Sequence, residues 1–142
     1  MIFTNGSNNM DLSIIILNYH NKNLAKELLK NLAELNLSYD YEAIVVDNAS
    51  YDGVEDVVKK FGRVKFIQSD KNGGFAYGNN LGIKQAQGKY IMIMNPDLAI
   101  LSDGIDQLYR YMEEHPEVGL AGPRLINADK SVQYSCKSFP DW

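Results

Sequence analysis

Cysteine is nearly missing: Cys136 is the single one in 142 residues, so no internal disulfide is available and a reducing compartment suits the chain. Cys136 itself reads as a small half-buried apolar residue. Histidine is scarce too, and His20 and His115 form no metal cluster. No apolar run approaches the ~20 residues that a membrane-spanning helix needs. Positive charge is in deficit, with 14 Lys and Arg against 18 Asp and Glu, a formal charge of −4 and a pI near 5.1. Without a basic cluster, a nucleic-acid backbone is not expected as the main partner. An anionic ligand still fits where a metal ion screens the repulsion. The first nine residues lack the basic start and apolar stretch of a secretory signal. Rich in Asn, Gly and Ser, residues 1–10 are expected to be a disordered or expression-derived leader, with the fold starting near Asp11.

What remains is one domain's worth of ordinary globular composition, 45% hydrophobic and 23% charged. Residues 12–17 form a continuous apolar run with three isoleucines, the pattern of a strand covered on both faces. Leu24, Leu28, Leu32 and Leu35 then mark one stripe of a helix over 23–35. Strands are expected at 41–46, 64–68 and 90–94, with short further ones at 118–121 and 132–136. Helices are expected at 53–61, with Asp52 and Glu55 placed as a capping box, and at 75–86. A last helix, capped by Ser102 or Asp103, stops at Pro116. Strands alternating with helices imply an α/β fold, a mostly parallel sheet with helices on both faces.

Two of these strands run out into acids. The run at 90–94 ends in Asn95-Pro96-Asp97, and the run at 41–46 ends in Asp47-Asn48-Ala49-Ser50-Tyr51-Asp52-Gly53. In open α/β sheets the carboxyl edge is where ligands bind. Pro96 fixes the turn, so Asp97 is presented stiffly, and an oxygen ligand on a short stem suits Mg²⁺ or Mn²⁺ held jointly with a diphosphate. The plainer alternative for Asp97 is a turn or helix-cap acid. Asp47 could accept a hydrogen bond from a base or ribose, or bond the amides of its own turn. Asp52 reads as a cap.

Between the two acidic ends lies Asp70-Lys71-Asn72-Gly73-Gly74-Phe75-Ala76-Tyr77-Gly78-Asn79-Asn80-Leu81-Gly82. Gly74, Gly78 and Gly82 fall on one helix face, where each glycine costs about 1 kcal/mol against alanine. Close approach of another backbone or a ligand is the expected compensation, and for Gly82 that means packing on the sheet. Gly73 and Gly74 precede the helix, where bare amides face an anion or simply make a turn. Neither the Walker spacing nor the dinucleotide fingerprint is present. Asn79 and Asn80 suit a helix interior poorly, so one of them is expected to turn toward a ligand or the adjoining loop.

Taken together, these segments resemble the amino-terminal half of family 2 inverting glycosyltransferases of the GT-A fold (a Rossmann-like nucleotide-diphospho-sugar transferase), nearest the rhamnosyltransferase-like branch. The likeness runs from Leu12 to about Trp142. Its carriers are Ser13-Ile14-Ile15-Ile16-Leu17-Asn18-Tyr19, Val45-Val46-Asp47-Asn48-Ala49-Ser50 and Asn72-Gly73-Gly74-Phe75-Ala76, then Gly78-Asn79-Asn80-Leu81-Gly82, Met94-Asn95-Pro96-Asp97 and Gly122-Pro123-Arg124-Leu125. The resemblance implies that Asn18 and Tyr19 border the nucleotide base, that Asp47 contacts the base or ribose, and that Asn79 lies beside the ribose or diphosphate; Asn48, Gly73 and Gly74 are counted with them as donor-binding candidates. It places Asn95 and Asp97 at the family's DxD position, with Asp97 as the metal ligand. Asn95 departs from the Asp of many members, and as a weaker metal ligand it is assigned a ribose hydroxyl.

The implied partners are a nucleoside-diphosphate sugar, a divalent metal, and a saccharide or lipid-linked acceptor for a hexosyl or rhamnosyl group. A cytoplasmic location, at the inner face of the membrane through peripheral association, goes with that reading. In the family the acceptor's catalytic base comes from a later segment. The acids after Asp97 (Asp103, Asp106, Glu113, Glu114, Glu117, Asp129 and Asp141) match no such motif, so the catalytic residue is unknown. The chain is read as a catalytically incomplete donor-binding part, truncated at its carboxyl end. A bare edge there would favour a homo-oligomer. The alternatives are a noncatalytic GT-A-like binding or assembly module and a receiver-type signalling domain. The second requires acids directly after the first strand, where Asn18-Tyr19-His20 stands instead.

Overall fold

The computed structural model describes residues 2–4, 10–101, 103–127 and 129–133. Along the chain run β1 (Ile2–Thr4), β2 (Met10–Asn18), α1 (Lys22–Glu34), β3 (Tyr41–Asp47), α2 (Val54–Val58), β4 (Val64–Gln68), α3 (Gly74–Ile83), β5 (Gly88–Met94) and α4 (Gly104–Glu114). The sheet order is β1-β5-β2-β3-β4. β2 lies parallel to β3 and β5, β3 parallel to β4, and only β1 is antiparallel, against β5. This is the expected α/β architecture.

Alternation along β2 shows why its run is apolar throughout. Leu12, Ile14 and Ile16 pack with Ala43, Val45, Met92 and the buried faces of α1, α2 and α4. Ile15 points the other way, joining Ile44, Val46 and Ile91 beneath Leu81 and Ile83 of α3. With helices on both faces, Leu12, Ile14, Ile15 and Ile16 are all 0% exposed. Among the described residues, no helix is long and apolar enough to cross a membrane.

Several expectations are corrected. The supposed leader contains β1, whose Ile2, Phe3 and Thr4 stand opposite Met92, Ile91 and Tyr90. A short β-capable run flanked by turn formers completes the edge of β5, a pairing set by tertiary context rather than by its own pattern. The helix expected over 53–61 is the shorter α2, because Lys60 and Phe61 bond back to Val57 and Val58 in tightened turns ahead of Gly62. Residues 118–121 are not a continuous strand: the Val118 amide bonds His115 O in a turn after Pro116, and Ala121 makes a β-bridge. Val132 makes an isolated antiparallel bridge to Ile126 and the Gln133 amide bonds Leu125 O at 2.9 Å, while Ser102, Asp141 and residues 134–136 of that run, Cys136 included, lie outside the described residues.

At the amino edge of the sheet a buried polar cluster ties the α3–β5 turn down. Glu42 Oε1 accepts from Ser13 Oγ at 2.7 Å and from the Gln87 amide at 2.9 Å, and Glu42 Oε2 lies 2.7 Å from Lys65 Nζ. Ser13 Oγ accepts in turn from the Gly88 amide at 2.8 Å. Burial raises the Glu42 pKa, but the bonds from Lys65, Ser13 and Gln87 outweigh it and hold the group below its ordinary 4.5. A folded pKa below the unfolded one stabilises the fold above about pH 4.5, and that stability is lost as pH falls through the folded value. Glu42→Gln is expected to cost about 2 kcal/mol at neutral pH and to flatten the acid limb of the stability curve. Urea melts between about pH 3 and 7 measure both effects.

Gly88 leaves no room for a side chain. A Cβ there would stand 2.4 Å from Ser13 N and 2.7 Å from Leu12 C, and backbone cannot step aside. Gly88→Ala is expected to destabilise by about 3 kcal/mol, the upper end of ordinary overpacking, as read from the urea midpoint.

Candidate functional site

Because β2, β3, β4 and β5 are parallel, their carboxyl ends share one edge of the sheet. Asn18 pairs with Asp47 and Asp47 with Gln68, while Met94 lies beside Ile16. From β2 the chain builds β3 and β4 to one side, then crosses to place β5 on the other. The order of building therefore reverses between β2 and β5, and open α/β sheets bind ligands in the crevice outside the carboxyl ends of the strands at such a point.

On one side of that crevice lies a dense polar network centred on Asp47, which is 1% exposed. Its Oδ1 accepts from Asn18 Nδ2 at 2.9 Å and from Ser50 Oγ, and its Oδ2 from the amides of Ser50 (3.1 Å) and Tyr51 (2.9 Å) and from Gln68 Nε2 (3.0 Å). Burial pushes its pKa up, but bonds from Ser50, Gln68, the Tyr51 amide and Asn18 prevail and hold it below the usual 3.8. Of its two expected roles, bonding the amides of its own turn is the one this geometry displays. Asp52 extends the network, accepting from the Lys22 amide at 3.0 Å, the Val54 amide at 3.1 Å and Asn18 Nδ2 at 3.2 Å. One carboxylate thus serves the first residues of α1 and α2 together. The expected capping box is displaced, because Gly53 takes the cap position and Glu55 pairs with Lys59.

The glycine-rich turn joins the same network. Asn48, 3% exposed, donates to Asn72 Oδ1 at 2.7 Å and accepts from the Gly73 amide at 3.2 Å. The Gly74 amide donates to Asn72 Oδ1 at 3.0 Å. The amides of Gly73 and Gly74 are therefore engaged by side chains and are not bare, which corrects that expectation. Asx acceptors next to a helix start take such donors first. Gly78 and Gly82 are packing residues: a Cβ would stand 2.3 Å from Leu17 Cδ1 at the first and 2.6 Å from Ile15 Cγ2 at the second. Asn79 is 2% exposed, donates to Phe75 O at 2.9 Å, and leaves its Oδ1 without a partner. Asn80 is exposed.

Across the crevice, Asn95 and Asp97 are exposed on the turn that follows β5, closed by the Leu98 amide to Asn95 O at 3.4 Å. Tyr19 is exposed after β2, its ring 4.4 Å from that of His20. The structure thus joins Asn18, Asp47, Asn48, Gly73 and Gly74 in one bonded set. Asn95 and Asp97 face solvent at the same edge, and Asn79 is buried on α3 itself. Among the described residues no group of three or more His, Cys, Asp or Glu side chains gathers as a metal site, so Asp97 would hold an ion only together with ligand oxygens. Sequence reasoning missed Gln68, Asn72 and the bridging role of Asp52. A polar residue closing β4 was the available signal for Gln68, and its meaning depends on the pairing with Asp47.

Comparison with known proteins shows the family and the fold. The family model described as Glycosyl transferase family 2 matches residues 13–139. The low-salt glycan biosynthesis hexosyltransferase Agl10 of Haloferax volcanii is 32% identical over 123 residues, covering 84% of this chain and 38% of that protein. The structure of Staphylococcus aureus TarS in complex with UDP superposes with a TM-score of 0.68 at 27% identity, covering 75% of this chain and 33% of that one. A Pyrobaculum calidifontis mannosyltransferase in complex with GDP-Man and Mn²⁺ shares the fold, with a TM-score of 0.65 at 22% identity over 75% of this chain and 33% of that one. The chain therefore spans well under half the length of these relatives. It belongs to glycosyl transferase family 2.

Proposed function

We propose that this chain is the donor-binding part of a sugar transferase that takes a nucleoside-diphosphate sugar with Mg²⁺ or Mn²⁺ and passes the sugar, with inversion, to a saccharide or lipid-linked acceptor. The observation that carries the reading is Asp97, an exposed carboxylate on a Pro-fixed turn at the reversal point of the sheet. Its oxygens have no hydrogen-bond partner among the described residues and are hard donors, which fits a divalent cation whose other ligands are phosphate and water. The family and the TarS complex with UDP support a nucleotide donor, and the mannosyltransferase complex with GDP-Man and Mn²⁺ supports a divalent metal. When bound, the cation would offset charge on the departing diphosphate.

The chain's own residues supply the rest. The loop from Asn18 to His20 borders the base, and Asp47 and Asp52 hold that loop rigid from behind. Asn95 offers an amide to a ribose hydroxyl, and the orphaned Oδ1 of Asn79 is an unused acceptor on α3. Of the acids beyond Asp97, Asp103 bonds Gln107, Glu113 pairs with Lys89, Glu117 with His115 and Asp129 with Ser131, while Asp106 Oδ1 is buried without a partner among the described residues. None of the four paired acids is assigned as the group that deprotonates the acceptor. Calorimetry with UDP and GDP, with and without Mn²⁺, tests the reading. Binding that strengthens about tenfold or more with Mn²⁺ is expected. No nucleotide bound in either condition would overturn it, as would binding indifferent to the metal.

A further inference from the structure

The loops after β2 and β3 contain three non-glycine residues with left-handed backbone: His20 at φ 56°, Ala49 at φ 60° and Tyr51 at φ 50°. Such conformations cost energy and persist where surrounding bonds over-determine them, often at functional sites. The surrounding bonds are visible here. Asn18 and Lys22 bracket Tyr19 and His20, Ser50 and Asp52 bracket Tyr51, and the brackets are joined. Asn18 Nδ2 reaches Ser50 Oγ at 3.2 Å, and the Lys22 amide reaches Asp52 Oδ2 at 3.0 Å. The Tyr51 amide is itself held by Asp47 at 2.9 Å. This scaffold keeps aromatic side chains in water: Tyr51 is 68% exposed and Tyr19 44%.

The polar groups of the same loops face inward. Asn48 N donates to Asn18 O and Ser69 N to Asp47 O, each at 2.9 Å, while Tyr19 O accepts from Asn21 Nδ2 at 3.1 Å. The Asp47 carboxylate accepts from Asn18, Ser50, Tyr51 and Gln68, and the Asn48 side chain bonds Asn72 Oδ1 and the Gly73 amide. These groups are thus turned into the fold, while Tyr19 and Tyr51 hold their rings in solvent.

We infer that Tyr51 is a second aromatic wall, beside the Tyr19–His20 pair, that grips the donor nucleobase by stacking, so that this site accepts uracil and guanine nucleotides almost alike. The inference rests on the donor-binding reading and adds a residue and a selectivity to it. Stacking on an aromatic face is tolerant of base identity, because every base has a π face, whereas hydrogen-bonded edges discriminate.

Calorimetry in the presence of Mn²⁺ separates the two claims. UDP and GDP are expected to bind the unaltered chain within about fivefold of each other, and Tyr51→Ala to weaken both about tenfold. Tyr51→Phe retains binding, and pyrophosphate binds the unaltered and Tyr51→Ala chains equally, because it has no base to stack. Tyr51→Asn, whose side chain tolerates left-handed backbone, repeats the loss without the loop strain of other substitutions. Unchanged UDP affinity in both Tyr51→Ala and Tyr51→Asn overturns the inference while leaving the donor-binding reading intact, and so does a preference for one base above about fiftyfold. Failure of the unaltered chain to bind either nucleotide overturns both.

Discussion

Asp97→Ala is expected to weaken Mn²⁺-dependent binding of UDP by about a hundredfold or more. Residues that merely orient a metal ligand cost 10- to 100-fold when changed, and a direct ligand sets at least the upper figure, about 100-fold. The fold should not notice. Asp97 is exposed and bonded to nothing among the described residues, so stability should move by no more than about 0.5 kcal/mol. Asp97→Asn keeps one carbonyl oxygen but no charge and is expected to fall between the two. Calorimetry beside a thermal melt reads both quantities. Equal affinity in the alanine variant would contradict the assignment, and a large fall in Tm would mean that Asp97 supports the fold instead.

Asp47→Ala is expected to do the reverse, lowering stability by about 4 kcal/mol. The change strips acceptors from the Ser50 and Tyr51 amides, from Gln68 Nε2 and from Asn18 Nδ2 around a side chain that is 1% exposed. Each buried donor left unmet costs roughly 1–3 kcal/mol, and relaxation of the loop recovers part of that sum. For a chain of this size, Tm should fall by about 10 °C. Donor binding should weaken as well, because the left-handed backbone at Ala49 and Tyr51 loses its restraint. A variant that melts like the parent but no longer binds nucleotide would show that Asp47 touches the donor directly.

Those two aspartates show where the sequence is legible. Each closes an apolar strand, and the strand patterns were readable: 64–68 coincides with β4, and 12–17 and 41–46 fall inside β2 and β3. Asp97 follows a proline, whose local rigidity predicts a presented side chain. Asp47 was ambiguous because two of its partners, the Ser50 and Tyr51 amides, are local and visible in the sequence. Asn18 and Gln68 meet it only once β2, β3 and β4 are in register. The glycine stripe carried its packing message, since tight helix-on-sheet contact is what Gly82 displays. Gly73 and Gly74 looked like bare amides because their acceptors, Asn48 and Asn72, belong to a network that spans two loops. β1 was not legible: three residues among turn formers become a strand only because β5 offers them an edge.

The most direct test is anomalous diffraction at the manganese edge from crystals soaked with UDP and Mn²⁺. A peak about 2.2 Å from an Asp97 carboxylate oxygen, with diphosphate oxygens on its other side, is the expected result. A peak at any other acid, or UDP bound with no metal beside Asp97, would contradict it.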